Sequence, residues 1–209
     1  PKHLEVAVAK GVKAHLILLC TESVTASVEV RLAEEAELDM VELYLKDSHV
    51  AVSVHQSENS QLRSFSALLS SSNVGYTYAL EGGGASNSLN SLYIATGSDH
   101  ATINLNTRHN VGQCTSRSLI KGIAAGRATG EFRGLVYVAP DAQQTDAQQQ
   151  NRNIELDNAH IVALPQLEIY ADDVRCSHGS TVGYEDKDAL FYMRQRGIDE
   201  ATARRLQIE

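Results

Sequence analysis

The chain has 209 residues, a formal net charge of -8 and no tryptophan. That length permits one sizeable core, and no Pro-, Gly- or Ser-rich linker divides it. The acidic balance, with no basic run anywhere, argues against a nucleic-acid or anionic-membrane surface, since both need clustered Lys and Arg.

From Lys13 to Leu105 short apolar runs recur between polar or Gly-containing breaks: 15–19, 26–32, 38–45, 50–54, 62–69, 75–80, 89–95 and 101–105. Val28, Val30 and Leu32 alternate with Glu29 and Arg31, and Val50, Val52 and Val54 alternate with Ala51 and Ser53. This is the period of strands. Strands spaced about a dozen residues apart fit a sandwich, a barrel or a solenoid, and periodicity does not separate the three. Aromatics make up only 5% of the chain, which predicts a core of stacked Val, Ile, Leu and Ala. Polar runs at Ser70–Asn73, Ser86–Ser88 and Gln148–Asn151 predict side-chain ladders at stacked turns, or ordinary loops. No strict hexapeptide repeat is present, which argues against the acyltransferase type of left-handed β-helix.

Gly82-Gly83-Gly84 is not followed by Gly-Lys-Ser/Thr or a helical pattern, so it reads as a turn rather than a phosphate loop. His100, Asn104, Asn106, His109 and Cys114 lack regular ligand spacing, and Asn104 and Asn106 read as the solvated side of a sheet. Residues 126–138 read as two strands joined near glycine, with Glu131 and Arg133 facing outward, and His160 reads as a wet-face residue.

Near the C-terminus Leu167, Ile169 and Ala171 alternate with Glu168, Tyr170 and Asp172. After Asp173 the period resumes with Val174, Cys176 and His178 on one face, so a thiol and an imidazole point the same way. Gly179 and Gly183 bracket the expected end of this strand. Beyond them Asp186 reads as an N-cap, Leu190, Phe191 and Arg194 fall at helical spacing, and Gly197 suits a stop. Asp199 caps a second short helix through Leu206. Helices this short must pack on the β-core, as a cap, or on a partner.

The run from Gly130 to Arg205 closely resembles the C-terminal core of the SufB/SufD family, scaffolds of iron-sulfur cluster assembly. The matching blocks are Leu167-Glu168-Ile169, Ala171-Asp172-Asp173-Val174, Cys176-Ser177-His178-Gly179, Thr181-Val182-Gly183, Leu190-Phe191-Tyr192 and Arg196-Gly197-Ile198. The Cys-Ser-His-Gly form is similar to SufD rather than SufB. The resemblance implies an all-β fold, a right-handed parallel β-helix over residues 1–183, followed by short C-terminal helices over 184–209. It implies that His178 lies at a SufB/SufD junction, opposite a SufB cysteine and beside Cys176. It also implies that the helical segment, with Asp186, Leu190, Phe191, Tyr192, Arg196 and Gly197, begins the docking region for the ATPase SufC.

Cluster assembly needs soft ligands for iron and a thiol able to hold sulfur, and Cys176 with His178 supplies two such groups. Clusters want about four ligands, so a second subunit must complete a shared, transient iron-sulfur site. A nearby imidazolium or Arg175 would be needed to raise the thiolate fraction of Cys176. The same Cys-x-His also fits a buried thiol beside a satisfied imidazole. Cys20 and Cys114 have no comparable context and read as core or edge residues. Three cysteines suggest no disulfide framework and a reducing compartment, hence cytoplasm. No apolar stretch reaches the roughly 20 residues of a membrane span, and the start lacks a signal pattern. Pro1-Lys2-His3-Leu4, without an initiator Met, reads as the start of a fragment. The expected role is a non-enzymatic scaffold. Two alternatives are a β-helix carbohydrate-active protein, for which Asp172, Asp173 and Arg175 are the only candidates, and a structural homodimer paired through edge strands.

Overall fold

The computed structural model describes residues 2–208. Its strands run β1 (Lys2–Val8), β2 (Lys13–Cys20), β3 (Val24–Leu32), β4 (Glu37–Tyr44), β5 (Ser48–Gln56), β6 (Gln61–Leu68) and β7 (Ser72–Leu80). They continue as β8 (Ser86–Ala95), β9 (His100–His109), β10 (Thr115–Ala124), β11 (Thr129–Val138), β12 (Thr145–Glu155), β13 (His160–Ile169) and β14 (Val174–Tyr184). Helices α1 (Lys187–Gln195) and α2 (Glu200–Ile208) follow. Odd-numbered strands form one seven-stranded sheet and even-numbered strands the other, and every pairing is parallel. This is a parallel β-helix of two sheets, each coil contributing one strand to each.

Coil length explains why no strict repeat is visible in the sequence. His3 bonds Ser27 at a separation of 24 residues, His100 reaches Ser71 across 29, and Asn151 reaches Ile120 across 31. The coil therefore lengthens along the chain while the side-chain register is kept. On the odd sheet the inward ladder reads Leu4, Val28, Val52, Tyr76, Leu105, Gly134 and Pro165. Pro165 is tolerated because β13 is the last strand of its sheet.

The turns after the odd strands are stacked as regularly as the strands. Gly11, Glu35, Asn59, Gly84, Gln113 and Gln144 each hold positive φ at that corner, and the amides of Gly11, Glu35, Asn59, Gln113 and Gln144 bond a carbonyl of the next coil, as in Glu35 N to Glu58 O at 2.9 Å. The residue that follows is fully buried from the second coil on: Ala36, Ser60, Ala85, Cys114 and Thr145. Cys114 is thus a corner residue whose thiol donates to the Gly82 and Gly112 carbonyls at 3.3 and 3.4 Å.

Three sequence expectations are corrected. The core is not purely aliphatic, because Tyr44, Tyr76, Tyr78 and Tyr93, with Phe132, are the largest fully buried side chains. Residues 129–138 form one strand, and the glycine joint lies before it, in the turn holding Gly126. The amide run does not ladder at a turn: Gln149, Asn151 and Asn153 lie within β12 and are buried between the sheets. Asn104 and Asn106 do face outward, whereas His109 is buried with its Nε2 2.8 Å from Ser116 Oγ.

Candidate functional site

β14 closes the last coil and is paired on one side only, with β12, so its other edge is open among the described residues. It runs through Gly179 and Gly183 to Tyr184, longer than those glycines suggest, because neither takes the positive φ of a turn. In register, Cys176 stacks on Ala147, His178 on Gln149 and Ser180 on Asn151. Since Ala147, Gln149 and Asn151 are interior residues, Cys176, His178 and Ser180 lie on the core-facing side of the terminal strand. The expected shared face is therefore present, at the open end of the helix.

The two groups differ in surroundings. Cys176 is half-buried and packs with Val136, Val138, Ala142, Ala147 and Ala171. Burial pushes its thiol up, a bond from the Ala147 backbone opposes that, and the charge of Asp146 adds to the rise. Arg175 points to the other face, beside Arg117, Asp146 and Gln148, and does not activate the thiol. His178 is exposed in a shallow groove of about 270 Å³ formed by residues 148–152 and 177–181.

Beneath this edge the interior is polar, which alternation alone did not reveal. Asn153 Nδ2 donates to Asn151 Oδ1 at 2.5 Å, Ser180 Oγ to the same oxygen at 3.3 Å, and Tyr93 Oη to Asn153 Oδ1 at 2.9 Å. Gln149 is fully buried and both atoms of its amide lack a protein partner. The signal was available in the sequence: Gln149, Asn151 and Asn153 fall two apart, as strand neighbours on one face do.

The C-terminal helices form as expected. Asp186 Oδ1 accepts from the Asp188 and Ala189 amides at 3.0 and 2.9 Å, and Asp199 Oδ1 from Thr202 N at 3.0 Å. Asp186 thus serves as a cap, and Gly197, at φ 84°, ends α1. Leu190 is buried, while Phe191 and Tyr192 are 64% and 58% exposed, with Arg196 stacked 5.0 Å from the Tyr192 ring. Arg204 ties α2 to the β-helix through Glu185 at 2.9 Å and Asp157 at 3.3 Å. The helices therefore rest on the turn before β13 and leave an aromatic face in water.

A stack of parallel coils ending in an open strand with a thiol and an imidazole defines a β-solenoid with an unfinished edge. The family described as "SUF system FeS cluster assembly, SufBD core domain" matches residues 1–209, and the chain belongs to it. Within that family it is SufD-like. It is 46% identical over 101 residues to the Escherichia coli iron-sulfur cluster assembly protein SufD, covering 48% of this chain and 24% of that protein. A Mycobacterium leprae SufBD family protein is 30% identical over 223 residues, covering 99% of this chain and 57% of the relative. A Synechocystis SufBD family protein is 42% identical over 111 residues, covering 53% of this chain and 24% of the relative. The chain thus spans between about a quarter and just over half of these relatives' lengths.

Proposed function

We propose that this chain is the β-helix core of a non-enzymatic SufD-like scaffold subunit. It pairs with a SufB-like subunit at its open end, receives a SufC-type ATPase on its C-terminal helices, and helps hold a nascent iron-sulfur cluster at the seam. The observation that carries the reading is the placement of Cys176 and His178 on the core-facing side of the terminal edge strand. The free edge of such a strand presents a row of backbone groups that another chain can complete.

The cluster is cargo here, held by groups from both sides. His178 offers a ring nitrogen directly, because it already stands in water at the edge. Cys176 carries its proton at neutral pH, since burial pushes the thiol up, so sulfur or iron capture must displace that proton. Two donors leave about two positions for the partner. Among the described residues no helix is long and apolar enough to cross a membrane. Three free thiols suit a reducing compartment, the cytoplasm.

The test is reconstitution of the complex with His178→Ala. An exposed imidazole can be removed without disturbing the fold, so the variant should assemble normally and yield fewer clusters. Wild-type cluster yield from a fully assembled variant refutes the site.

A further inference from the structure

We propose that the outer face of β2, β4 and β6 is a docking surface for a second copy of this chain. Ala14, Leu16 and Leu18 of β2 pack on the core, so alternation turns Ile17 and Leu19 outward. In register, Ile17 stacks on Val41 and Phe65, and Leu19 on Leu43 and Ala67. Leu45 and Leu69 carry the apolar rows one step further, their amides donating to the Cys20 and Tyr44 carbonyls as the ladder continues. Ile17 is 70% exposed and Leu19 55%, and Leu45, Phe65 and Leu69 stand in water with them. The row through Phe65 turns polar at β8, where Asn90 follows it.

Area and charge both favour a copy as the occupant. Five large apolar side chains at these exposures leave roughly 400–500 Å² of apolar surface in water, the size of the largest patch a monomer usually carries. A two-fold contact buries the same patch twice, and with the half-buried Val41 and Leu43 it reaches about 1,000 Å², the lower bound of a specific interface. The polar rim is already neutralised within the chain. Lys13 pairs with Glu37 at 2.9 Å, and Asp39 lies between His15, at 3.3 Å, and Arg63. Lys13 and Arg63 thus balance Glu37 and Asp39. This face neither seeks a charged partner nor repels itself, although the whole chain carries -8. Apolar rows on flat strands suit two sheets packed face to face about 10 Å apart. β14 lies at the far end of the same sheet, so the contact leaves that edge open.

Sedimentation equilibrium of the chain over a range of concentrations reads the association. Wild type should dimerise with a Kd of about 1–100 μM, as a contact near the lower size limit does. Ile17→Lys with Phe65→Lys places cations in the seam from both copies and should weaken the dimer at least about a hundredfold, with unchanged far-UV circular dichroism. The milder Phe65→Ser should weaken it about tenfold, and it keeps the test intact if the lysine pair disturbs folding. Leu164→Lys, an exposed residue on β13 of the other sheet, should change nothing. A wild type that stays monomeric at the highest concentration gives the face to another occupant and overturns the proposal, as does a dimer that survives the lysine pair. None of these readouts uses SufB, SufC or cluster formation, so the result stands apart from the scaffold reading.

Discussion

Tyr93 crosses the interior and donates its hydroxyl proton to Asn153, 60 residues further along the chain, at 2.9 Å. Its ring lies in a slot left by two glycines: a Cβ on Gly122 would sit 2.0 Å from Tyr93 Cζ, and one on Gly130 2.5 Å from Cε2. The bond joins β8 to β12 across the coil between them, so the polar interior below the open edge depends on a tyrosine placed two coils earlier.

Gly122→Ala should therefore destabilise the chain by about 1–3 kcal/mol, because the ring has no room to retreat in a packed core. Tyr93→Phe should cost about 1 kcal/mol by leaving Asn153 with one donor fewer. Gly179→Ala, whose Cβ meets nothing within 4 Å, should be near neutral by comparison. Urea midpoints of the three variants check this order, and a Gly122→Ala midpoint equal to that of Gly179→Ala would remove the slot from the account.

Two buried titratable groups make opposing contributions to stability. Burial raises the Glu42 carboxyl from 4.5 to about 7, against hydrogen bonds from Tyr44 and Tyr76. Burial lowers the His109 imidazole from 6.5 to about 4. The folded state keeps a proton on Glu42 that the unfolded chain gives up, so this contribution is full below pH 4.5 and lost as pH rises to about 7. His109 stays neutral in the fold while the unfolded chain takes up a proton, so its contribution is full above pH 6.5 and lost as pH falls to about 4. Between pH 4.5 and 6.5 the two slopes cancel. Glu42→Gln should unmask a stability that rises with pH there, and His109→Gln one that falls, each by about 1.4 kcal/mol per pH unit. Denaturant titrations at several pH values measure the slopes, and equal slopes in both variants would contradict the assignment.

The C-terminal helices divide buried from free residues within one turn. Leu190 faces inward, whereas Phe191 and Tyr192 stand in water. Phe191→Ala with Tyr192→Ala should leave the melting temperature within a few degrees of wild type and abolish capture of a SufC-type ATPase. Leu190→Ala should lower stability by about 2 kcal/mol through the lost packing. A doubly substituted chain that still retains the ATPase in a pull-down places docking elsewhere.

Most strands were legible because inward and outward residues alternate in Val28–Leu32 and Val50–Val54. The solenoid was not separable from a sandwich by pattern, since a coil that lengthens from 24 to 31 residues leaves no fixed repeat. Glu42 stayed hidden because Val41 and Leu43 make the opposite face of β4 apolar as well, so alternation there does not say which face is inside. Cys176 and His178 were found from their two-residue spacing and the family blocks. The burial that separates a packed thiol from an exposed ring depends on β14 being the last strand, a property of topology that local spacing does not carry.

That difference in burial makes the three thiols distinguishable by their reaction with iodoacetamide. Burial pushes all three up, with the charge of Glu42 adding to the rise at Cys20 and that of Asp146 at Cys176. The thiolate is the reacting form, so each should alkylate more slowly at neutral pH than a free cysteine. Cys114 is sealed in the corner column and should not react in the native state. Cys20 and Cys176 are half-buried at the two ends of the helix and should react slowly. Adding a SufB-like partner should then protect Cys176 and leave Cys20 unchanged, because the proposed pairing covers only the coil that ends in β14. Mass spectrometry of the alkylated peptides reads all three rates at once, and protection of Cys20 with Cys176 left reactive would put the partner at the wrong end.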